Sequence, residues 1–488
     1  MQSDAREALR PAIDAAHTAS RRAATRVIGQ KAAATAGTAG LRKSYSPSQV
    51  MWIISGAPWL WGRIRGEDSA AMDIHRTFQR YCWRGYGIVG RILACAGFVA
   101  GMPIVLALMI RCTRIRGAAV SRETGKSRIR QLREQLSLWL GQGVLPLSYY
   151  IFELYDEDIR ATALSYLYRH ETKRGIYAIL RDRFSSAETT DALRNKAAFA
   201  LRCQRYGVAA IPALFSVHRG ILRRLDRGGA GLPRCDLFLK PLSGSGGRGA
   251  AVWLHTGNGS YRNPQAGALT ESDLIDHLAV LSEHEPYVGR PYVRNHSGVA
   301  DLSPGALSSV RIVTCLDENY RPEATHAVLR MARNSESLVD NFHAGGIAAR
   351  VDLETGVIGA ATDIGLNVNT QWWSVHPATG AQILGRYIPM WPEVLDLVLR
   401  AHAIFPDHIV VGWDVAILED GPQLIEGNKS PDLDIVQRTG RAPAGTSRLG
   451  VLLAHHLRQT DPEQALSHLE LEAPPQAERL VAGERGMR

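Results

Sequence analysis

The chain has 488 residues, 45% of them apolar, which allows two to four domains and a sizeable buried core. Its net charge of +10 points to an anionic partner: nucleic acid, acidic lipid, an acidic polymer or phosphates. The six cysteines include no CxxC pair and no accompanying His cluster, which argues against a disulfide framework or a cysteine-ligated zinc site and for reduced thiols in a cytosolic protein.

Residues 1–45 are rich in Ala, Arg and Thr and poor in large apolar side chains, so they read as a disordered basic tail. They carry no secretory signal. Residues 46–190 read as a helical region. Residues 51–61 are rich in tryptophan, and residues 92–110 run without a charge between Arg91 and Arg111. Such a run is long enough to cross a hydrocarbon core. Basic flanks on both sides oppose a single crossing, whereas a re-entrant or surface-lying segment on an anionic membrane keeps both flanks cytoplasmic. The alternative is a buried helix. From Lys126 to about Ala210 the period is helical, with Ile129, Leu132, Leu136 and Leu140 on one stripe. Tyr149, Tyr150, Phe152 and Tyr155 read as helix packing.

After Asp236 the pattern turns to strands. Leu237-Phe238-Leu239, Ala250-Ala251-Val252-Trp253-Leu254, Val310-Arg311-Ile312-Val313-Thr314, Ala327-Val328-Leu329-Arg330 and Val410-Val411-Gly412-Trp413-Asp414-Val415-Ala416-Ile417 are the candidates. Between Thr270 and Glu283 a helix is expected, starting at an N-cap-like Thr with an acidic first turn. The mixture makes the fold class α+β or α/β. Residues 457–488 read as a flexible C-terminal tail.

Three constellations carry chemistry. Lys240 ends an apolar run and precedes Ser243, Gly244, Ser245, Gly246 and Gly247. A lysine is a compact phosphate contact, and glycines let backbone N–H groups approach phosphate oxygens. The loop has no Gly-Lys-Ser/Thr ending and no helix after it, so it is not a P-loop. In the second, a turn at Glu419-Asp420-Gly421-Pro422 joins two apolar runs, which can set Asp414 opposite Glu426, with Asn428 on the face of Glu426. Three oxygen ligands on one patch suit magnesium, which keeps other positions for water and phosphate. The third sets Arg311 and Arg330 on adjacent strands with Asn341 and Gly345-Gly346 near by. Guanidinium forks of this kind suit a γ-phosphate or an acyl phosphate.

In this order the residues resemble the ATP-grasp superfamily. Asn195-Lys196, Phe199, Tyr206-Gly207-Val208 and Ile211-Pro212 look like its opening segment, Lys240 falls at the phosphate lysine, and Asp414, Glu426 and Asn428 match the metal triad. Arg311, Arg330, Asn341-Phe342-His343-Ala344-Gly345-Gly346 and Glu426-Gly427-Asn428-Lys429-Ser430-Pro431 resemble the ribosomal-protein glutamate ligases. The nearest resemblance is to the sugar-transfer-associated ATP-grasp group. It rests on Asn295-His296, the run from Leu307 to Thr314, Val339-Asp340-Asn341 and His376-Pro377-Ala378-Thr379-Gly380, and it spans roughly Tyr149 to His456. One departure lies in Tyr287-Val288-Gly289-Arg290-Pro291-Tyr292: where the adenine hinge is expected to carry a Gln or Glu pair, it has Arg290-Pro291, and Pro291 lacks an N–H.

The resemblance implies an α+β ATP-grasp module over residues 191–456, two lobes clasping ATP, preceded by a mainly helical domain. It implies an ADP-forming carboxylate–amine ligase working through an acyl phosphate, in cell-surface polysaccharide or secondary-metabolite biosynthesis. Lys196, Lys240, the glycine loop and Tyr292 would hold ATP. Asp414, Glu426 and Asn428 would hold two magnesium ions, with manganese as a substitute. Arg311, Arg330 and Asn341 would stabilise the acyl phosphate. The partners would be a small-molecule carboxylate and amine, and an anionic membrane surface through the basic N-terminal half. The alternatives are a peptide ligase using aminoacyl-tRNA, which is not favoured, and a non-catalytic membrane or polysaccharide scaffold.

Overall fold

The computed structural model describes residues 68–83, 87–226, 228–242, 249–263, 266–334 and 340–460. The basic tail, the tryptophan-rich run at 51–61 and the glycine loop at 243–248 lie outside the described residues, as does the C-terminal tail from 461 onward.

Helices come first: α1 (Ala70–Trp83), α2 (Ile88–Thr124), α3 (Arg128–Gln142) and α4 (Pro146–Ile151). The uncharged run at 92–110 lies wholly inside α2. That helix stops at Gly125, whose φ of 72° is a left-handed conformation glycine tolerates. Ser127 then caps α3 by accepting from the Arg130 N–H. A π-helical turn at Thr172–Ile176 leads into α5 (Tyr177–Phe184), followed by α6 (Ala187–Arg194) and α7 (Lys196–Arg205). Asn195 caps α7, its side chain accepting from the N–H groups of Ala197 and Ala198.

Two antiparallel sheets of seven strands follow. The first holds β1 (Phe215–His218), β2 (Ile221–Arg224), β3 (Leu237–Pro241), β4 (Ala251–His255), β5 (Ser260–Asn263), β6 (Gly267–Thr270) and β7 (Tyr287–Pro291), in the order β2-β1-β7-β3-β4-β5-β6. Helix α8 (Glu271–Leu281) starts where the sequence placed it, on a capping box of Thr270 and Asp273. It buries Leu274 and Leu278 against Phe215, Leu237 and Trp253. Gly289 in β7 makes room for this core: a Cβ there would stand 2.2 Å from the Phe215 ring.

The second sheet holds β8 (Ser309–Leu316), β9 (Pro322–Met331), β10 (Ile347–Val351), β11 (Ile358–Thr362), β12 (Trp372–Trp373), β13 (Val410–Leu418) and β14 (Gly421–Asn428). Its order is β12-β11-β10-β9-β8-β13-β14. Helix α9 (Trp391–Ala403) covers one face, packing Val394, Leu397 and Val398 with Ile312, Leu329 and Trp413. The other face belongs to a core shared by Val313, Cys315 and Val328 with Phe78 and Phe98 of the N-terminal helices and Leu449 and Leu453 of α11 (Arg448–Arg458). Between these lies α10 (Leu433–Gly440). Strand β13 is buried at every position, which explains its nearly unbroken apolar run. The helical region and the second sheet thus share one core.

Candidate active site

The two sheets leave between them a cavity of about 840 Å³. Lys196, Lys240, Tyr292, Arg311, Arg330, Asn341, Asp414, Glu426 and Asn428 all line it, so the described candidates for ATP, metal and acyl phosphate converge on one space. Ser243, Gly244, Ser245, Gly246 and Gly247 fall outside the described residues.

The β13–β14 hairpin builds the acidic wall. Next to the turn Leu418 pairs with Gly421 and Val415 with Leu424; a bulge beside Asp414 then shifts the register by one, setting Asp414 opposite Glu426 and Gly412 opposite Asn428. Asn428 Nδ2 lies 3.5 Å from Glu426 Oε1, so amide and carboxylate share a face. Among the described residues no three His, Cys, Asp or Glu side chains gather as a metal site of their own. Two carboxylates and an amide oxygen on adjacent strands remain. These are hard oxygen donors, too few to enclose an ion, and they fit a cation that keeps water and phosphate oxygens in its shell.

The arginines occupy a position their separate sequence roles did not anticipate. β8 pairs with both β9 and β13, setting Arg311 beside Asp414 and bringing Arg330 within reach. Arg311 Nε and Nη2 both donate to the Asp414 carboxylate, the latter at 2.8 Å, and Arg330 Nη1 donates to Oδ2 at 3.0 Å. Arg330 Nη2 also donates to Asp340 at 2.7 Å, and Ser309 Oγ donates to the same carboxylate. Burial would raise the Asp414 pKa, but the guanidiniums of Arg311 and Arg330 outweigh it and hold the group down at about 2. For Asp340 burial prevails and the pKa is raised.

Lys240 projects from β3 with its Nζ 3.9 Å from Glu426 Oε2. Burial, then the Arg290 charge, lowers its pKa from 10.5 to about 7. Lys196 donates to the Leu242 carbonyl at 3.0 Å, and burial lowers its pKa too. Asn341 accepts from the His343 N–H and so shapes the turn Phe342–Ala344. Gly345 takes φ 101°, and a Cβ on Gly346 would stand 2.9 Å from the Asn341 carbonyl oxygen, so the Gly-Gly pair is sterically required.

Arg290 has a use the hinge comparison did not foresee. It is 2% exposed and donates to the carbonyls of Ile425, at 2.8 Å, and Lys196, at 3.0 Å, tying β7 of one sheet to β14 of the other. Tyr292 donates its N–H to the Asp236 carbonyl at 2.8 Å.

Sequence reasoning also passed over a cluster at the helical end of the cavity. Asp432 receives Arg169 Nη1, Lys173 Nζ at 3.0 Å and His343 Nε2 at 2.7 Å. The only signal was the four-residue spacing of Arg169 and Lys173, which places both on one helical face.

A model of the sugar-transfer associated ATP-grasp family matches residues 178–445, more than half of the chain. The chain belongs to this family. ATP-grasp solved structures are similar in kind but distant. One is an L-amino acid ligase from Bacillus licheniformis, 12% identical, covering 55% of this chain and 49% of its own, with a TM-score of 0.31. Another is a biotin carboxylase from Campylobacter jejuni, 11% identical, covering 56% and 48%, with a TM-score of 0.32. A third is a D-alanine–D-alanine ligase from Bacillus anthracis, 11% identical, covering 64% and 85%, with a TM-score of 0.34. This chain spans about half the length of the first solved structures it matches. At such distance they carry no inference about its chemistry. No curated protein sequence matches the chain. The ATP-grasp match begins after Arg169 and Lys173, so those two come from outside the family's shared region.

Proposed function

We propose that the chain is an ADP-forming carboxylate–amine ligase acting on a saccharide or amino-acid-type substrate of cell-surface polysaccharide or secondary-metabolite biosynthesis. The observation that carries this reading is the convergence of Lys240, the Arg311–Arg330 pair and the carboxylates Asp414 and Glu426 in one cavity between two sheets. Lys240 and Lys196 would hold the phosphates of ATP, and Tyr292 would border the base. Asp414, Glu426 and Asn428 would hold magnesium, two ions in all, or manganese in its place; bound there, the metal would neutralise phosphate charge. A substrate carboxylate oxygen attacks the γ-phosphorus, and ADP leaves. Arg311, Arg330 and Asn341 steady the acyl phosphate. An amine then attacks the acyl carbon, phosphate departs, and the nitrogen gives its proton to solvent.

The test is mass-resolved product analysis with purified chain, magnesium-ATP and pools of amino acids and amino sugars. ADP, phosphate and an amide adduct are expected. AMP and pyrophosphate would refute the acyl-phosphate route.

A second observation favours a place on the membrane. Helix α2 is long and apolar enough to cross a membrane. It is nevertheless fastened to the body along Ala94, Phe98, Gly101, Val105 and Met109. Most of the rest of its surface over the uncharged run is bare, with Ile92 62%, Val99 59% and Ile104 58% exposed. Arg111 and Arg114 stand exposed just beyond it. A helix pinned on one side, apolar on the other and basic at its end suits the interface of an anionic bilayer rather than a crossing. Flotation with phosphatidylglycerol vesicles checks this. Ile92→Ser/Val99→Ser/Ile104→Ser should abolish flotation, and a wild-type chain that stays at the bottom of the gradient refutes it.

A further inference from the structure

We infer that Arg169, Lys173 and His343 form a second anion subsite at the helical end of the cavity, so that the acid substrate carries an anionic group besides the carboxylate that reacts. The inference rests on the reading of this cavity as the nucleotide cavity. Three observations carry it.

The first is the construction of the cluster. Asp432 has a side chain only 8% exposed, and it gathers three donors from two distant parts of the chain, Arg169 and Lys173 from one and His343 from the other. The donors themselves are open, at 46%, 28% and 38% exposed. A buried carboxylate behind a partly open guanidinium, ammonium and imidazole is an orienting group that holds them at the edge of the cavity, with their remaining donor positions free to meet an anion.

The second is position. All three donors line the same cavity as Lys240 and Asp414. His343 lies two residues from Asn341, which lines the same cavity as Arg311 and Arg330. A group seated on the cluster would therefore extend from the arginine pair, where the acyl phosphate is proposed to form.

The third is charge. Nine Lys and Arg side chains line the cavity against four carboxylates. ATP with two magnesium ions is close to neutral, so the nucleotide complex leaves most of this excess in place. Part of the excess is met by carboxylates behind the lining, Arg194 by Asp191 and Arg169 by Asp434 as well as Asp432, while among the described residues Lys173 has Asp432 alone as a close carboxylate. A substrate with a second carboxylate or a phosphate would discharge the remainder; a neutral sugar or an ordinary zwitterionic amino acid would not.

The experiment uses the full chain saturated with magnesium and a non-hydrolysable ATP analogue, so that the γ-phosphate position is filled. Succinate and inorganic phosphate are then titrated by calorimetry. The wild type should bind at least one of them, with succinate preferred if the group is a carboxylate and phosphate preferred if it is a phosphate ester. Arg169→Gln/Lys173→Gln should weaken that binding by at least about tenfold. The affinity for the ATP analogue should stay within about twofold, a separation that general damage to the cavity would not give. If the double variant does not fold, adding Asp432→Asn removes the stranded carboxylate and gives the same readout. The inference falls if the wild type takes neither anion, or if the double variant binds as the wild type does. Failure of the analogue to bind would instead sink the nucleotide reading, and succinate titrated without it would still report on the cluster.

Discussion

Replacing Asp414 by Asn should destabilise the chain as well as abolish turnover, and the size of the loss follows from its surroundings. The carboxylate is 4% exposed and receives two guanidiniums whose side chains are only 12% and 13% exposed. Its pKa falls from 3.8 to about 2, which by linkage corresponds to about 2 kcal/mol of stability. Because the folded value is depressed, that contribution is fully present above 3.8 and is lost as pH falls through about 2. The variant also strands Arg311 and takes one of the two carboxylate partners of Arg330, and removing one partner of a buried pair costs about 3–5 kcal/mol. Arg330 keeps Asp340, so the lower end applies, about 3 kcal/mol. Urea unfolding followed by tryptophan fluorescence is the assay, since Trp413 is buried next in sequence. Arg311→Met/Asp414→Asn should recover about 1–2 kcal/mol of the loss, because the double change leaves one stranded cation fewer. If Asp414→Asn unfolds within about 0.5 kcal/mol of the wild type at neutral pH, the guanidinium clamp does not exist as described.

Lys240, with its pKa lowered to about 7, should take up a proton when a polyphosphate binds, because the anion restores the charged form. Calorimetry at pH 8 in buffers of different ionisation enthalpy should show uptake approaching one proton, and none for Lys240→Met. Glu426→Gln should raise the magnesium concentration for half-maximal ATP turnover by about tenfold, since one of only two carboxylates in the proposed set is lost; an unchanged magnesium dependence would remove Glu426 from it. Gly427→Ala should lower the melting temperature, because its Cβ would stand 2.6 Å from Leu193 Cδ2 and 2.9 Å from the Trp413 ring. Overpacking of that kind costs about 1–3 kcal/mol. An unshifted melt would mean that α6 is free to move off β14.

What the sequence made legible is what local period and turn chemistry encode. The turn's own register would set Asp414 across from Ile425, and the bulge that brings Glu426 opposite is not written there, but the apolar run through Asp414, the turn before Gly421 and the second apolar run specify the hairpin itself from local signals. Thr270 with Asp273 marked the start of α8 for the same reason. Pairings across the fold leave no period. Arg169 meets Asp432 over a separation of 263 residues, and nothing in either neighbourhood names the other. Arg290 looked like an anomaly in a hinge. It proved to be a strut whose partners are two backbone carbonyls, groups every residue possesses and no sequence pattern can single out. The membrane question was half legible. The uncharged run was plain, but only the packed line from Ala94 to Met109 distinguishes a helix fastened along the body from one free to cross.

The clamp on Asp414 also constrains how the proposed roles can coexist. Sequence assigned the carboxylate to a metal and the two arginines to a phosphate, as though each were free for its task. In the folded chain they satisfy one another, and both oxygens of Asp414 accept guanidinium donors. Burial makes this mutual neutralisation necessary, since a bare carboxylate or a bare guanidinium at these depths would be far costlier. A cation drawing fully on Asp414 must therefore loosen at least one arginine, and an arginine turning to a phosphate must find Asp414 compensated. Each arrival removes the penalty for the other. Metal and triphosphate should for that reason bind with positive coupling that Asp414→Asn abolishes, and equal affinity for ATP with and without magnesium in the wild type would contradict it.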